Sequence, residues 1–158
     1  MNLCSTDFSL WGLGLASTEP HRLKSVLLNA NSMLMNDPEI VAELRALYPE
    51  YEAALMANDA ETLTRMFWNS PHAMRFGVSE NLYGIEEIDA FRKGRSPANL
   101  ARTVRRLDIV TFGRDFGSVT LEFERTMNGK IISGRQSQVW VRFPEGWRIV
   151  SAHVSVLK

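Results

Sequence analysis

A tyrosine, an arginine and a pair of glutamines carry most of the chemistry this chain could do. Tyr51 falls among Leu44, Leu47 and Leu55 at helical spacing, so its ring belongs to an apolar face and its hydroxyl needs a partner. That pattern fits a core tyrosine bonded to backbone as well as a phenol placed for proton transfer. Arg75 alternates with Met74 and Phe76 in a short run of strand character. A guanidinium there is either solvated on the outer face or an anion anchor, since it matches a carboxylate in two places and keeps its charge. Gln136, Gln138 and Trp140 share one face of a long strand, and Ser151 and His153 share one face of the last. A four-residue connection, Pro144 to Trp147, pairs Phe143 with Arg148 and Gln138 with His153, and puts all five on one side. This register separates a polar face from an apolar one made of Val139, Val141, Val150 and Val154. A three-residue connection sets His153 opposite Ser137 instead. His153 also fits a satisfied core histidine. Two basic clusters, Arg92, Lys93 and Arg95, then Arg102, Arg105 and Arg106, fit solvated or interface roles, the first where a helix dipole favours cations.

Other chemistries find no support. There is no G-x-S-x-G elbow, P-loop or G-x-G-x-x-G run. The single cysteine, Cys4, has no base nearby in sequence and excludes a disulfide framework. The three histidines, His21, His72 and His153, lack metal-ligand spacing. The expectation is a site with no metal and no cofactor.

The elements that must hold these residues follow from pattern. Asp37 and Pro38 start a helix, and Ile40, Val41, Leu44, Leu47, Tyr48, Tyr51 and Leu55 carry it to about Ala57, through Pro49. Asn58 begins a second helix with Leu63, Met66 and Phe67 inside. His72 to Val78 alternates as a strand. Glu80 to Tyr83 is a loop, and Ile85, Ile88 and Phe91 mark a third helix. Four strands follow, Arg102–Phe112, Phe116–Thr126, Ile131–Phe143 and Trp147–Leu157, with Asn128-Gly129 as the strongest hairpin signal. The order predicts an α+β domain, a curved antiparallel sheet with three helices on one face and an open-mouthed cone between.

The chain has 158 residues, 18 basic and 18 acidic, and no net charge. That balance argues against a nucleic-acid partner, whose affinity rests on phosphate neutralisation. The zero is a sum: residues 36 to 90 carry a net −8 and residues 91 to 158 a net +8. No apolar run approaches the ~20 residues that span a bilayer, and the short stretch Leu10 to Ala16 lacks a basic start, so a cytoplasmic protein without membrane contact is expected. Residues 1–34 are taken as an N-terminal extension, disordered or a short helix from about Arg22, and residues 35–158 as the domain.

Dispersed matches then point to a family. Tyr51-Glu52-Ala53-Ala54-Leu55, Asn58-Asp59 and Leu63-Thr64-Arg65-Met66-Phe67-Trp68 resemble the AtzH-like family, which also contains the oxalurate catabolism protein HpxZ. The resemblance continues through Arg75-Phe76-Gly77, Glu80-Asn81-Leu82-Tyr83-Gly84, Ala90-Phe91-Arg92, Phe112-Gly113-Arg114-Asp115, Gly134-Arg135-Gln136-Ser137-Gln138, Trp147-Arg148-Ile149-Val150 and Ala152-His153-Val154-Ser155. It implies the SnoaL-like, nuclear-transport-factor-like (cystatin-like) roll and a homodimer formed through the sheet. It also implies a decarboxylating amidohydrolase of the 1,3-dicarboxyurea to allophanate type, with Tyr51 and Arg75 as its catalytic pair. Gln138, His153, Gln136, Trp140 and Tyr83 are the expected substrate contacts, the substrate being a small ureido-type anion. The alternative the family carries is a non-catalytic ligand-binding or accessory protein that serves a partner amidase in oxalurate or purine catabolism.

Overall fold

The computed structural model describes residues 34–98 and 100–157; the expected N-terminal extension lies outside them but for Leu34. Three helices and six strands follow in order: α1 (Pro38–Ala57), α2 (Ala60–Arg65), β1 (Met74–Phe76), β2 (Asn81–Tyr83), α3 (Gly84–Gly94), β3 (Thr103–Phe112), β4 (Phe116–Met127), β5 (Lys130–Phe143) and β6 (Gly146–Val156). The strands form one curved sheet in the order β2-β1-β6-β5-β4-β3. None of the described helices is long and apolar enough to cross a membrane.

Helix α1 begins where the sequence places it. Asp37 accepts from the Glu39 N–H at 3.0 Å, and Pro38 occupies the first turn, where its missing N–H costs nothing. The helix runs through Pro49, which forfeits one bond to the Arg45 carbonyl. Ile40, Leu44, Tyr48, Tyr51, Ala54 and Leu55 are its buried stripe. They pack on Val119, Leu121, Phe123, Trp140, Ile149 and Ala152 of the sheet's inner face. Contact is close: a Cβ on Gly117 would stand 2.4 Å from the Leu44 side chain. Asn58 ends α1 in the left-handed conformation, with φ 55°, and does not start α2; Asp59 does, accepting from the Thr62 N–H at 3.0 Å.

Three sheet features depart from expectation. The segment taken as a loop holds a strand, β2, paired antiparallel with β1. β1 pairs parallel with β6, so the sheet is not wholly antiparallel. The third concerns the β5–β6 register. A two-residue turn, Pro144–Glu145, joins Phe143 to Gly146, and a bulge then shifts the pairing between Val139 and Trp140. The extra residue, Val150, lies between Ile149 opposite Trp140 and Ser151 opposite Val139. Beyond it His153 stands opposite Ser137, and Gln138 opposite Ala152. One inserted residue reverses which side chains face inward. Ile149 and Ala152 are therefore both buried, and His153 is exposed on the other face.

Candidate active site

The inner face of the sheet, α1 and the segment that follows α3 bound a cavity of about 70 Å³. It has room for about five waters, which suits a small organic acid. Tyr51, Arg75, Arg95, Arg102, Arg125 and Gln136 line it with Leu55, Leu100, Phe123 and Val154. A wider groove of about 660 Å³ lies outside, between α2, α3 and the β5–β6 turn, where Glu61, Asp89 and Glu145 balance Arg65, Lys93 and Arg148. The small cavity concentrates unbalanced charge, and the groove does not.

Tyr51 is 3% exposed. Burial alone would raise its pKa, but the charges of Arg92, Arg102 and Arg75 outweigh that and hold the phenol below its ordinary value of 10.0. Each of the three arginines lies over an aromatic ring: Arg75 over Phe91 at 4.9 Å, Arg92 over Phe67 at 5.3 Å and Arg102 over Phe123 at 4.6 Å. The rings fix the cations without cancelling their charge.

Two of the three have counter-ions. Arg75 donates to Glu80 at 2.6 Å, and Glu80 is steadied by the Ser79 N–H and hydroxyl. Arg102 makes a two-point pair with Glu52, at 2.7 and 2.8 Å, and reaches Gln136 Oε1 at 3.1 Å. Arg92 is 1% exposed and has no counter-ion among the described residues; none of its guanidinium nitrogens makes a well-formed hydrogen bond, and its polar neighbour is the Tyr51 hydroxyl. Its burial in such surroundings lowers its own pKa, against the pull of Tyr51. Arg95 is held by Asn58, whose Oδ1 accepts from Nε at 3.1 Å and Nη2 at 2.8 Å. That contact is neutral, so it leaves the charge of Arg95 uncompensated.

The glutamines are oriented by donors. Trp140 Nε1–H donates to Gln138 Oε1 at 3.1 Å, and Arg102 donates to Gln136 Oε1. Indole and guanidinium are donors only, so each glutamine must turn its oxygen toward them and its NH₂ away. Both Nε2 atoms are buried without a partner. With Arg92 and the Nε of Arg125, six N–H-bearing nitrogens are buried and unmet. The shortage is of acceptors, and of these residues Gln136 and Arg125 line the cavity, where an oxygen-rich anion would supply them.

Tyr51, Arg75 and Gln136 line the cavity, and Gln138 and Trp140, although outside its lining, belong with them to the buried interior. Two expected contacts do not. His153 is turned outward by the β6 bulge, and its ring meets Phe76 edge-on at 6.3 Å. Tyr83, 56% exposed on the edge strand, meets the same Phe76 at 5.7 Å. These rings form an outer cluster on the far side of the sheet from Arg75, whose neighbour in β6 is the buried Ala152. Ser151 lies on the outer face with them, opposite Val139.

Arg92 and Arg102 were missed as interior cations, although a signal existed. Arg92 stands four residues after Ile88 and seven after Ile85, on the buried side of α3. Arg102 shares the parity of the inward Val104. Their neighbours Lys93, Arg105 and Arg106 are solvated, in ion pairs with Asp89, Glu124 and Asp108. Among the described residues no group of three or more His, Cys, Asp or Glu side chains gathers as metal ligands.

Comparison with known proteins agrees with this architecture. The AtzH-like family model matches residues 33–158. A protein of unknown function from Pectobacterium atrosepticum, of the DUF3225 family, is 45% identical; the match covers 80% of this chain and all of that one, with a TM-score of 0.75. A cystatin-like fold protein from Burkholderia xenovorans is 41% identical over 80% of this chain and 98% of that one, with a TM-score of 0.73. A nuclear transport factor 2-like protein from Salmonella enterica shares the fold at 22% identity, covering 75% and 91%, with a TM-score of 0.61. No curated protein matches. The chain belongs to the AtzH-like family, on the cystatin-like, nuclear-transport-factor-like fold.

Proposed function

We propose that this protein is a small enzyme that removes carbon dioxide from an N-carboxylated urea, as in the conversion of 1,3-dicarboxyurea to allophanate. The observation that carries the reading is Tyr51, a buried phenol among three guanidinium groups, one of them without a counter-ion. The reaction needs a proton at one place. The bond between the urea nitrogen and its carboxylate carbon breaks, carbon dioxide leaves, and the electron pair stays on nitrogen. Nitrogen then takes a proton, and the net change is one proton consumed and one carbon dioxide released.

Tyr51 supplies that proton in this reading. The surrounding cations favour phenolate, which makes the phenol a stronger acid than a free tyrosine. Arg75 holds the carboxylate that the product retains, in a geometry its Glu80 pair keeps fixed. The amide of Gln136, which lines the cavity, serves the urea carbonyl, where charge grows as the C–N bond lengthens, and Gln138 is buried two residues on along the same face. The cavity is small and mostly walled by protein, so these charges act with little screening from water.

The test is incubation of the purified protein with freshly generated N-carboxylated ureas and with oxalurate, following carbon dioxide and ammonia. Carbon dioxide release by wild type and its loss in Tyr51→Phe is the expected result. Equal release by both proteins would overturn the role of Tyr51. Tight binding of the substrates with no release would make the protein a carrier and not an enzyme.

A further inference from the structure

Arg92 is an expensive residue to have where it is. A buried cation is normally paired, because its desolvation penalty is several kcal/mol even after relaxation. Arg75 and Arg102 obey that rule through Glu80 and Glu52. Arg92 has a ring, Phe67, and beside it the neutral Tyr51 hydroxyl, but no carboxylate. It is not a misplaced surface residue, since its fully buried α3 neighbour Ile88 lies one turn before it on the same face.

The surroundings of Tyr51 narrow what completes Arg92. From α3 it is faced by Arg92; from the residue after α3 by Arg95; from β1 by Arg75; from the approach to β3 by Arg102; and from its own helix by Tyr48. The carboxylates of the site are already engaged, Glu52 by Arg102 and Tyr48, and Glu80 by Arg75. The phenol oxygen of Tyr51 is then the group beside Arg92 that is able to become negative.

We propose that Arg92 is a positioning residue for Tyr51: its buried guanidinium, which has no counter-ion, gains a counter-charge only when the phenol has given up its proton. Before proton transfer the pair is a cation beside a neutral hydroxyl. After it, the pair is a buried guanidinium and phenolate in direct attraction. The interaction is strongest in the state that follows proton donation, so it lowers the barrier and does not merely hold the substrate. This inference rests on the assignment of Tyr51 as proton donor, but it makes a claim about the free protein as well.

Three proteins test it: wild type, Arg92→Lys and Arg92→Met. Tyrosinate absorbance is titrated without substrate, thermal unfolding is recorded, and kcat and KM are measured where turnover exists. Arg92→Met is expected to move the earliest tyrosinate step up by about one to three pH units, while Arg92→Lys keeps it low. Arg92→Met is also expected to unfold at the same or a higher temperature, because it removes an unpaired buried charge. A role in packing alone predicts the opposite. Turnover should fall in kcat about tenfold or more, with KM nearly unchanged, and recover in part in Arg92→Lys. A step that stays at its wild-type pH in Arg92→Met overturns the proposal, and so do equal shifts in both variants. If the titration behaves as expected but wild type releases no carbon dioxide, the assigned reaction fails and the role of Arg92 toward Tyr51 stands.

Discussion

Tyr48 and Tyr51 lie one turn apart on α1 with ring centroids 6.0 Å apart, and their hydroxyls are driven in opposite directions. Tyr48 is pushed up, by burial and by its own bond to the Glu52 carboxylate at 2.7 Å, against the pull of Arg102. Tyr51 is pulled down, because its three arginines overcome burial. Helical geometry makes the division possible. Residues three apart share a face but point to different depths, one to the Glu52–Arg102 pair and one to the unpaired cation of α3. In the proposed reaction this division leaves one phenol inert and one primed.

Absorbance separates them directly. The chain has three tyrosines, so a pH titration followed at the tyrosinate band resolves a small number of steps. The cations favour the deprotonated form of Tyr51, so its proton leaves at lower pH than that of a free tyrosine. A step below pH 10 is expected in wild type and absent in Tyr51→Phe, with Tyr48 the last to ionise. If Tyr51 is the acid, kcat falls as pH rises through that same step. A first step in Tyr51→Phe at the wild-type position sinks the assignment.

The Glu52–Arg102 pair makes a prediction at the other end of the pH scale. Its side chains are 12% and 5% exposed, and Glu52 also accepts from Tyr48. Burial opposes ionisation of Glu52, but the bonds and charge of Arg102 and the bond from Tyr48 prevail and hold its pKa below 4.5. An acid whose folded pKa is depressed adds stability above its unfolded pKa and loses it as pH falls through the folded value. Glu52→Gln should therefore cost about 3 kcal/mol at pH 7, the lower end for breaking a buried pair. The gap to wild type should narrow as pH falls below 4.5 toward the lower folded pKa of Glu52. Denaturant unfolding at several pH values checks this, and a gap of constant size from pH 7 to pH 3 contradicts it.

A glycine outside the cavity supports the same arginine. Phe123 lies directly opposite Gly134 across β4 and β5, and a Cβ on Gly134 would stand 2.3 Å from the far atom of the ring. Phe123 in turn carries the Arg102 guanidinium. An aromatic ring in a packed strand cannot yield as a lysine tip would, so Gly134→Ala should overpack the site at a cost of about 1–3 kcal/mol. The melting temperature should drop, and KM should rise because Arg102 and its bond to Gln136 shift with the ring. An unchanged melting temperature would show that the ring has room to move.

How far the sequence foretells this structure depends on the range of the interaction. The three- and four-residue spacing along α1, the Asp37 cap and the Asn128-Gly129 turn are local, and all are realised, the turn with φ of 50° and 75°. The inward face of β5 is legible too, because Gln136, Gln138 and Trp140 alternate with Ser137, Val139 and Val141, which are exposed or half-buried. The parallel β1–β6 pairing is not, since it joins segments more than seventy residues apart that carry no mark of each other. Nor is the bulge at Val150, where a single inserted residue leaves composition untouched and reverses the face of His153. Arg92 is a different failure. At the end of a helix a cation has an ordinary reason to be there, and only its step of four from Ile88 separates a buried role from a solvated one.

The corrected register leads to a last prediction, which compares Gln138 with His153. The sequence sets the two side by side on one face; the structure puts Gln138 fully inside, oriented by Trp140, and His153 outside against Phe76. His153→Ala and Tyr83→Phe should leave kcat and KM within about twofold of wild type, because exposed side chains away from such sites usually matter little. Gln138→Leu should behave otherwise. It removes a buried amide two residues from Gln136 on the inner face of β5, so kcat should fall as that face shifts. It also strips Trp140 Nε1 of its acceptor, and a buried unmet donor costs about 1–3 kcal/mol of stability. Steady-state kinetics and thermal unfolding of the three variants distinguish the registers. Loss of activity in His153→Ala with an inert Gln138→Leu would mean that the inner face of β6 is the one carrying His153.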